Sequence, residues 1–143
     1  MDASFYEKFP CCFKEALKGG EVSFSEDPQI TFEPFNAYRG IFRDKGGDFS
    51  NITFEDFLSY AELGKQYNPR FGRKDSYYSC SEYKDLDECK KALVFPNPKE
   101  DRKISIGPVC QEDGCIRESQ TDSHVDYWIY ENHSDFWTQY KII

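Results

Sequence analysis

An arginine inside an apolar stretch is the first feature of this chain that demands a chemical partner. Ala37-Tyr38-Arg39-Gly40-Ile41 reads as a strand, and a guanidinium buried there without an anion would be costly. That anion is either a carboxylate across the sheet or a ligand phosphate, and Gly40 would let a ligand approach the backbone. Hydroxyls follow at Tyr77-Tyr78-Ser79-Cys80-Ser81, read as a strand leading into a short helix, and two carboxylates, Glu118 and Glu131, lie on or beside late strands. The imidazoles are His124 and His133. His124 opens a predicted strand beside Asp126, where it could act as a base or simply be a hydrogen-bonded edge residue. Cys11, Cys12, Cys80, Cys89, Cys110 and Cys115 form no CxxC pair. A tetrahedral zinc site would therefore have to be assembled from distant pieces, so plain buried thiols and no metal are expected. Glycine-rich phosphate loops, HExxH, GxSxG and EF-hand patterns are absent from the sequence.

Taken in order, the Tyr38-Arg39-Gly40 strand, the Ser79-Cys80-Ser81 strand with its following helix, and a late glutamate resemble the ADP-ribosyltransferase superfamily, in which such fragments bracket NAD. The resemblance implies that Arg39 would sit near the pyrophosphate or the nicotinamide ribose, making charge-assisted bonds. It implies that Ser79 or Ser81 would orient that ribose, and that Tyr77, Tyr78 or Tyr83 would stack on the nicotinamide ring. Glu118 or Glu131 would accept from the ribose hydroxyls and stabilise positive charge as nicotinamide leaves. A second serine candidate, Ser59 in Phe57-Leu58-Ser59-Tyr60, falls in a predicted helix.

Charge points to a different class. The chain carries 18 Lys and Arg against 26 Asp and Glu, a net charge of -8. Because nucleic-acid affinity comes from cations displacing counterions, direct binding to DNA or RNA is not expected. A basic protein partner is. The chain is also aromatic-rich, with 13 Phe and 10 Tyr, which excludes the composition of a disordered segment. Tyr127, Trp128, Tyr130, Phe136, Trp137 and Tyr140 are dense enough for either a core or a contact patch. Mean hydropathy is -0.77, and no run nears the roughly 18 apolar residues of a membrane span. Met1 to Phe9 has neither a basic start nor an apolar run, so no signal peptide is expected. A cytoplasmic location with reduced thiols follows as the default expectation.

The elements that must position these residues are read from periodicity. Phe5, Phe9, Cys12, Phe13, Ala16 and Leu17 form a helical stripe ended by Gly19-Gly20. Short strands are expected at 22–24, 30–32 and 37–41. A helix is expected from Thr53 to Gly64, with Phe54, Phe57, Leu58 and Ala61 on its apolar face. Residues 65–76, with Arg70, Arg73 and Lys74, read as a surface loop or an anion-contacting one. Asp85 with Glu88 reads as a capping box for a helix through Leu93, stopped by Pro96 and Pro98. Strands follow at 103–106 and from Val109, broken by Gly107-Pro108, with a tight turn at Asp113-Gly114. His124 to Tyr130 alternates with aromatics on both faces, so it should be central or covered on both sides.

The expected fold is one α+β domain over residues 1–143, with N-terminal and central helices packed on a mostly antiparallel sheet. Two functional readings follow. One is a small acidic, non-enzymatic protein-binding or inhibitory module for a basic partner, of the toxin-neutralising or phage-borne kind, needing no cofactor. The other is an ADP-ribosyltransferase-like enzyme using NAD.

Overall fold

A computed structural model describes residues 3–94, 97–131 and 135–143. The expected helix stop at Pro96 and the second imidazole, His133, lie outside them. Six strands, β1 (Phe35–Asp44), β2 (Cys80–Tyr83), β3 (Glu100–Val109), β4 (Gly114–Glu118), β5 (His124–Ile129) and β6 (Lys141–Ile142), form one sheet. Their order is β4-β5-β2-β1-β3-β6, with every neighbouring pair antiparallel. With helices α1 (Ala3–Tyr6), α2 (Cys11–Lys18) and α3 (Leu86–Ala92), the chain is a single α+β domain.

The connection from β3 to β4 fixes the sheet's shape. Three strands separate the two in the sheet order, which in a flat sheet puts them about 19 Å apart. Val109 and Gly114 are joined by four residues, whose full extension is about 18 Å, and the bond from Asp113 N–H to the Cys110 carbonyl folds them into a turn. The sheet must therefore curl. Its inner face holds Ala37, Cys80, Val109, Ile116, Val125 and Tyr127, closed over by Phe57, Phe136 and Tyr140. Gly107 has no side chain because the Tyr140 ring lies against it, and a Cβ there would be 2.4 Å from the ring.

The outer face is covered in two places. At the β4–β5 end, Phe5, Phe13, Ala16 and Leu17 of the N-terminal helices, and Phe9 between them, pack with Cys115 and Trp128. At the β1–β2 end, Leu93 beyond α3 sits where a Gly40 Cβ would project. The alternation in β5 holds as read: it lies inside the sheet, with residues 125–128 buried. Apart from the half-buried Trp137, the late aromatics are core rather than a contact patch. Tyr127, Trp128, Tyr130, Phe136 and Tyr140 are all buried.

Several local expectations are corrected. The Thr53–Gly64 segment is two short turns instead of one helix. Thr53 and Asp56 form a capping box for a 3-10 turn at Phe54–Phe57. Ser59 and Glu62 then form a second one, with Ser59 N–H donating to Glu62 Oε1 and Glu62 N–H to Ser59 Oγ. An N-cap needs an extended entry, and Leu58 supplies it at ψ 144°, which breaks the helix between them. Gly64, at φ 73°, ends the second turn as expected.

The strand expected at 77–81 starts only at Cys80, because Ser76–Tyr78 is a 3-10 turn. The expected strands at 22–24 and 30–32 do not form, and near them only Gln29 bridges to Ile116. Gly107-Pro108 does not break β3, since β6 pairs only with Ser105 and Ile106 and leaves Pro108 on a free edge. The Asp113-Gly114 turn joins strands that do not pair with each other. Cys11 and Cys12 are exposed rather than buried, so Cys12 leaves the apolar stripe.

Candidate functional site

Between the two covered parts of the outer face lies an open groove of about 1220 Å³. Its floor comes from β2, β4 and β5, and its far wall from the turns between Leu58 and Ser76. Arg39, Tyr77, Ser79, Ser81 and Glu118 all line it. The structure thus brings five of the sequence-predicted residues together.

Three of the others lie elsewhere. Glu131 is exposed and borders a separate cavity beside Lys8 and Tyr130. The Tyr78 ring stacks on Phe13, 4.9 Å between centroids, and belongs to the N-terminal core. Tyr83, half-buried, packs edge-on against the His124 ring.

The residues that do converge are largely engaged by the protein itself. β1 and β2 pair at one position only, Tyr38 opposite Tyr83, and Arg39 bridges the strands where they part. Its Nη1 donates to the Ser81 carbonyl at 3.0 Å and its Nε to the Asp56 carbonyl at 3.1 Å. Among the described residues its partners are thus main-chain oxygens, and the expected carboxylate across the sheet is not within ion-pair range. Gly40, read as a backbone opening for a ligand, is instead filled by Leu93.

Ser79 Oγ lies 2.8 Å from Asp126 Oδ1 and 2.9 Å from the Ser76 carbonyl, so its single proton is taken. Glu118 is ion-paired with Lys84. Arg73, in the basic 65–76 segment, reaches Ser25 Oγ and Glu26. Ser81 remains exposed, its Oγ in contact with His124 Nε2.

Under the groove lies a buried ionic cluster that sequence reasoning missed. Arg117 makes a bidentate pair with Asp75, at 2.6 and 3.0 Å, and bonds Asp126 at 3.0 Å. Its guanidinium also lies 5.0 Å from the Trp128 ring centroid. Burial pushes the Asp75 carboxyl up, but the Arg117 guanidinium and the Ser25 N–H outweigh it and hold it below its ordinary value. Burial likewise works against the Arg117 charge, and its two carboxylate partners more than restore it. Arg117 faces Asp126 in the β4–β5 register, so that half of the cluster was legible once the strands were aligned. Asp75, 42 residues away in sequence, left no local signal.

On the inner face, opposite the groove floor, Glu82 is fully buried. The Tyr140 hydroxyl donates to its two carboxyl oxygens at 2.8 and 3.1 Å. Burial dominates there and pushes the carboxyl up to about 8, although the Tyr140 bond and the charge of Arg39 pull the other way.

Among the described residues no group of three or more His, Cys, Asp and Glu side chains is arranged to hold a metal ion. No helix there is long and apolar enough to cross a membrane. Compared with known proteins, the chain matches no family model, no curated protein and no solved structure.

Proposed function

We propose that the protein is a protein-binding or inhibitory module whose groove receives a segment of a basic partner. One observation carries this reading. The groove's rim offers apolar and aromatic surface, with Phe42, Tyr60 and Leu63 exposed at 42%, 54% and 48%, whereas its cations already have acceptors. Arg39 sits on two carbonyls, Arg117 on two carboxylates, and Arg73 on Glu26. Lys65 lies over the Tyr60 ring. A groove built to clamp phosphates would leave such groups free, while tyrosine and leucine at an open rim suit anchoring of a polypeptide. The net charge of -8 supplies the long-range field that steers a cationic partner.

Selection of displayed random peptides on the immobilised protein tests this. Enrichment should favour lysine- and arginine-containing peptides whose binding weakens as salt rises. The double variant Tyr60→Ala, Leu63→Ala should weaken binding at least about tenfold. Enrichment without basic residues, or affinity unchanged in that variant, overturns the reading.

A second reading keeps one favourable observation, that Arg39, Tyr77, Ser79, Ser81 and Glu118 share the groove. In it the protein is an ADP-ribosyltransferase-like enzyme and the groove holds NAD. That reading requires a rise in melting temperature with saturating NAD which Arg39→Ala removes. Identical melting with and without NAD leaves the binding module alone.

A further inference from the structure

The groove contains one pair of side chains with the geometry of a nucleophile and its base. In the β2–β5 ladder Ser81 lies opposite Asp126 and Tyr83 opposite His124. Ser81 and His124 are therefore diagonal neighbours on one face, within side-chain reach, and Ser81 Oγ lies 2.5 Å from His124 Nε2. Both residues line the groove, and Ser81 is exposed to it.

Besides Ser81, the imidazole has one ring neighbour among the described residues. The Tyr83 ring packs edge-on at 5.2 Å between centroids. The backbone of His124 is fixed beside it, its main-chain N–H donating to Asp122 Oδ1 at 3.0 Å and its main-chain carbonyl accepting from the Ser119 N–H at 2.9 Å. A cation completes the set. Arg39 Nη1 already grips the Ser81 carbonyl, and the guanidinium has further N–H groups for a negative charge developing in the groove.

We propose that Ser81 is an activated nucleophile, with His124 as its general base, and that it accepts an acyl group from a small ester bound in the groove. In the first step the Oγ–H proton passes to Nε2 as Oγ forms a bond to the ester carbonyl carbon, and Arg39 faces the resulting oxyanion. The carbon–oxygen bond to the alcohol then breaks, and the imidazolium returns the proton to the departing alkoxide. Water, deprotonated by the same imidazole, attacks the acyl-serine; the carbon–Oγ bond breaks, the imidazolium returns its proton to Oγ, and the carboxylic acid leaves with Ser81 and His124 restored. This chemistry rests on Ser81 and His124 at the groove floor, whereas the partner-binding reading rests on the exposed rim residues Tyr60 and Leu63.

A fluorophosphonate probe tests the assignment directly, since it forms an Oγ–P bond only with an activated hydroxyl and releases fluoride. Mass spectrometry of the labelled protein should place the adduct on Ser81. Ser81→Ala should abolish labelling, and His124→Gln should slow it by about a hundredfold or more. Ser50→Ala, at an exposed loop serine, should leave the rate unchanged. Melting curves should coincide for the parent, Ser81→Ala and Ser50→Ala, whose substituted side chains are exposed, and the form altered at the half-buried His124 should stay folded at the assay temperature. An unlabelled Ser81 in folded protein, or a His124→Gln protein labelled at the parent rate, overturns the proposal and reduces the pair to a surface hydrogen bond.

Discussion

Two buried acidic sites lie on opposite faces of the same sheet and solve the same problem in opposite ways. On the outer face Asp75 and Asp126 surround Arg117, with Ser25, Ser76 and Ser79 filling the remaining bonds. There Asp75 stays charged because the planar Arg117 guanidinium matches it bidentately. On the inner face Glu82 has a phenol at hydrogen-bond distance and the Cys80 thiol at 3.9 Å. Arg39 is turned toward main-chain carbonyls instead, so Glu82 keeps its proton near neutrality. What separates the two sites is the presence of a dedicated counter-ion, since both are buried. The charged site underlies the groove, where rigid placement of Ser76 and Ser79 shapes the floor. The neutral one serves packing.

Removing the counter-ion is the most severe way to break this contrast. Arg117→Met should destabilise the protein by about 3–5 kcal/mol at neutral pH, because it strands two buried carboxylates. Urea unfolding at pH 7 measures it. Adding Asp75→Asn and Asp126→Asn to Arg117→Met should recover much of the loss, since no unpaired charge then remains. If the triple variant is as unstable as the single one, the cluster acts through shape rather than charge.

The neutral site predicts a pH dependence of the opposite kind. An unfolded Glu82 titrates at its ordinary value of 4.5, and the folded one at about 8. Below 4.5 both states hold the proton and the native state has no penalty. Between there and about 8 the unfolded chain releases its proton while the native one retains it, so Glu82's contribution to stability falls throughout that window and levels off above it. Glu82→Gln removes this slope. The variant should match the parent near pH 4.5 and exceed it by on the order of a few kcal/mol at pH 8. Parallel pH–stability curves for the two proteins would show that Glu82 is ionised in the native state. Asp75 runs the other way. Its folded value is depressed, so its contribution is present above 3.8 and disappears as pH falls through the folded value.

Which of these features the sequence announced follows from how local each one is. Phe13, Ala16 and Leu17 of the α2 stripe, the alternation in β5, the Asp85 cap on α3 and the Gly64 stop depend on residues within one or two turns, and they hold. Cys12, by contrast, faces outward, and Glu88 accepts from the Ser123 N–H instead of closing the box with Asp85. The Thr53–Gly64 helix failed because Ser59 and Glu62 match an interior helical pair as well as a capping box, and only Leu58's extended backbone decides between them. Gly107-Pro108 looked like a break because nothing nearby reveals that Tyr140 fills the space at Gly107.

At the candidate site, Arg39 and Ser81 were visible as a cation and a hydroxyl on strands. Their mutual contact was not, since it arises from β1 and β2 parting after a single pair. The Ser81–His124 pair likewise needs the β2–β5 register, across 43 residues. Glu82 gave no warning because a glutamate between Ser81 and Tyr83 on a four-residue strand reads as outward-facing until the sheet is seen to curl.

The smallest expected effect probes the phenol that donates to Glu82. Tyr140→Phe keeps the ring on Gly107 and removes the hydroxyl, so near pH 6 the loss should be about 1 kcal/mol, that of one buried hydrogen bond. The hydroxyl favours the ionised carboxyl, so without it the proton is held still more tightly and the pH window of falling stability extends to higher values. Tyr140→Phe should thus lose more relative to the parent at pH 9 than at pH 6. In the Glu82→Gln background, where no charge can form, the extra loss at pH 9 should vanish, and a double-mutant cycle at the two pH values reads it. Equal coupling at both would mean that the phenol is bonded to an uncharged carboxyl throughout, and that the two faces of the sheet differ even more in charge than their separate partners imply.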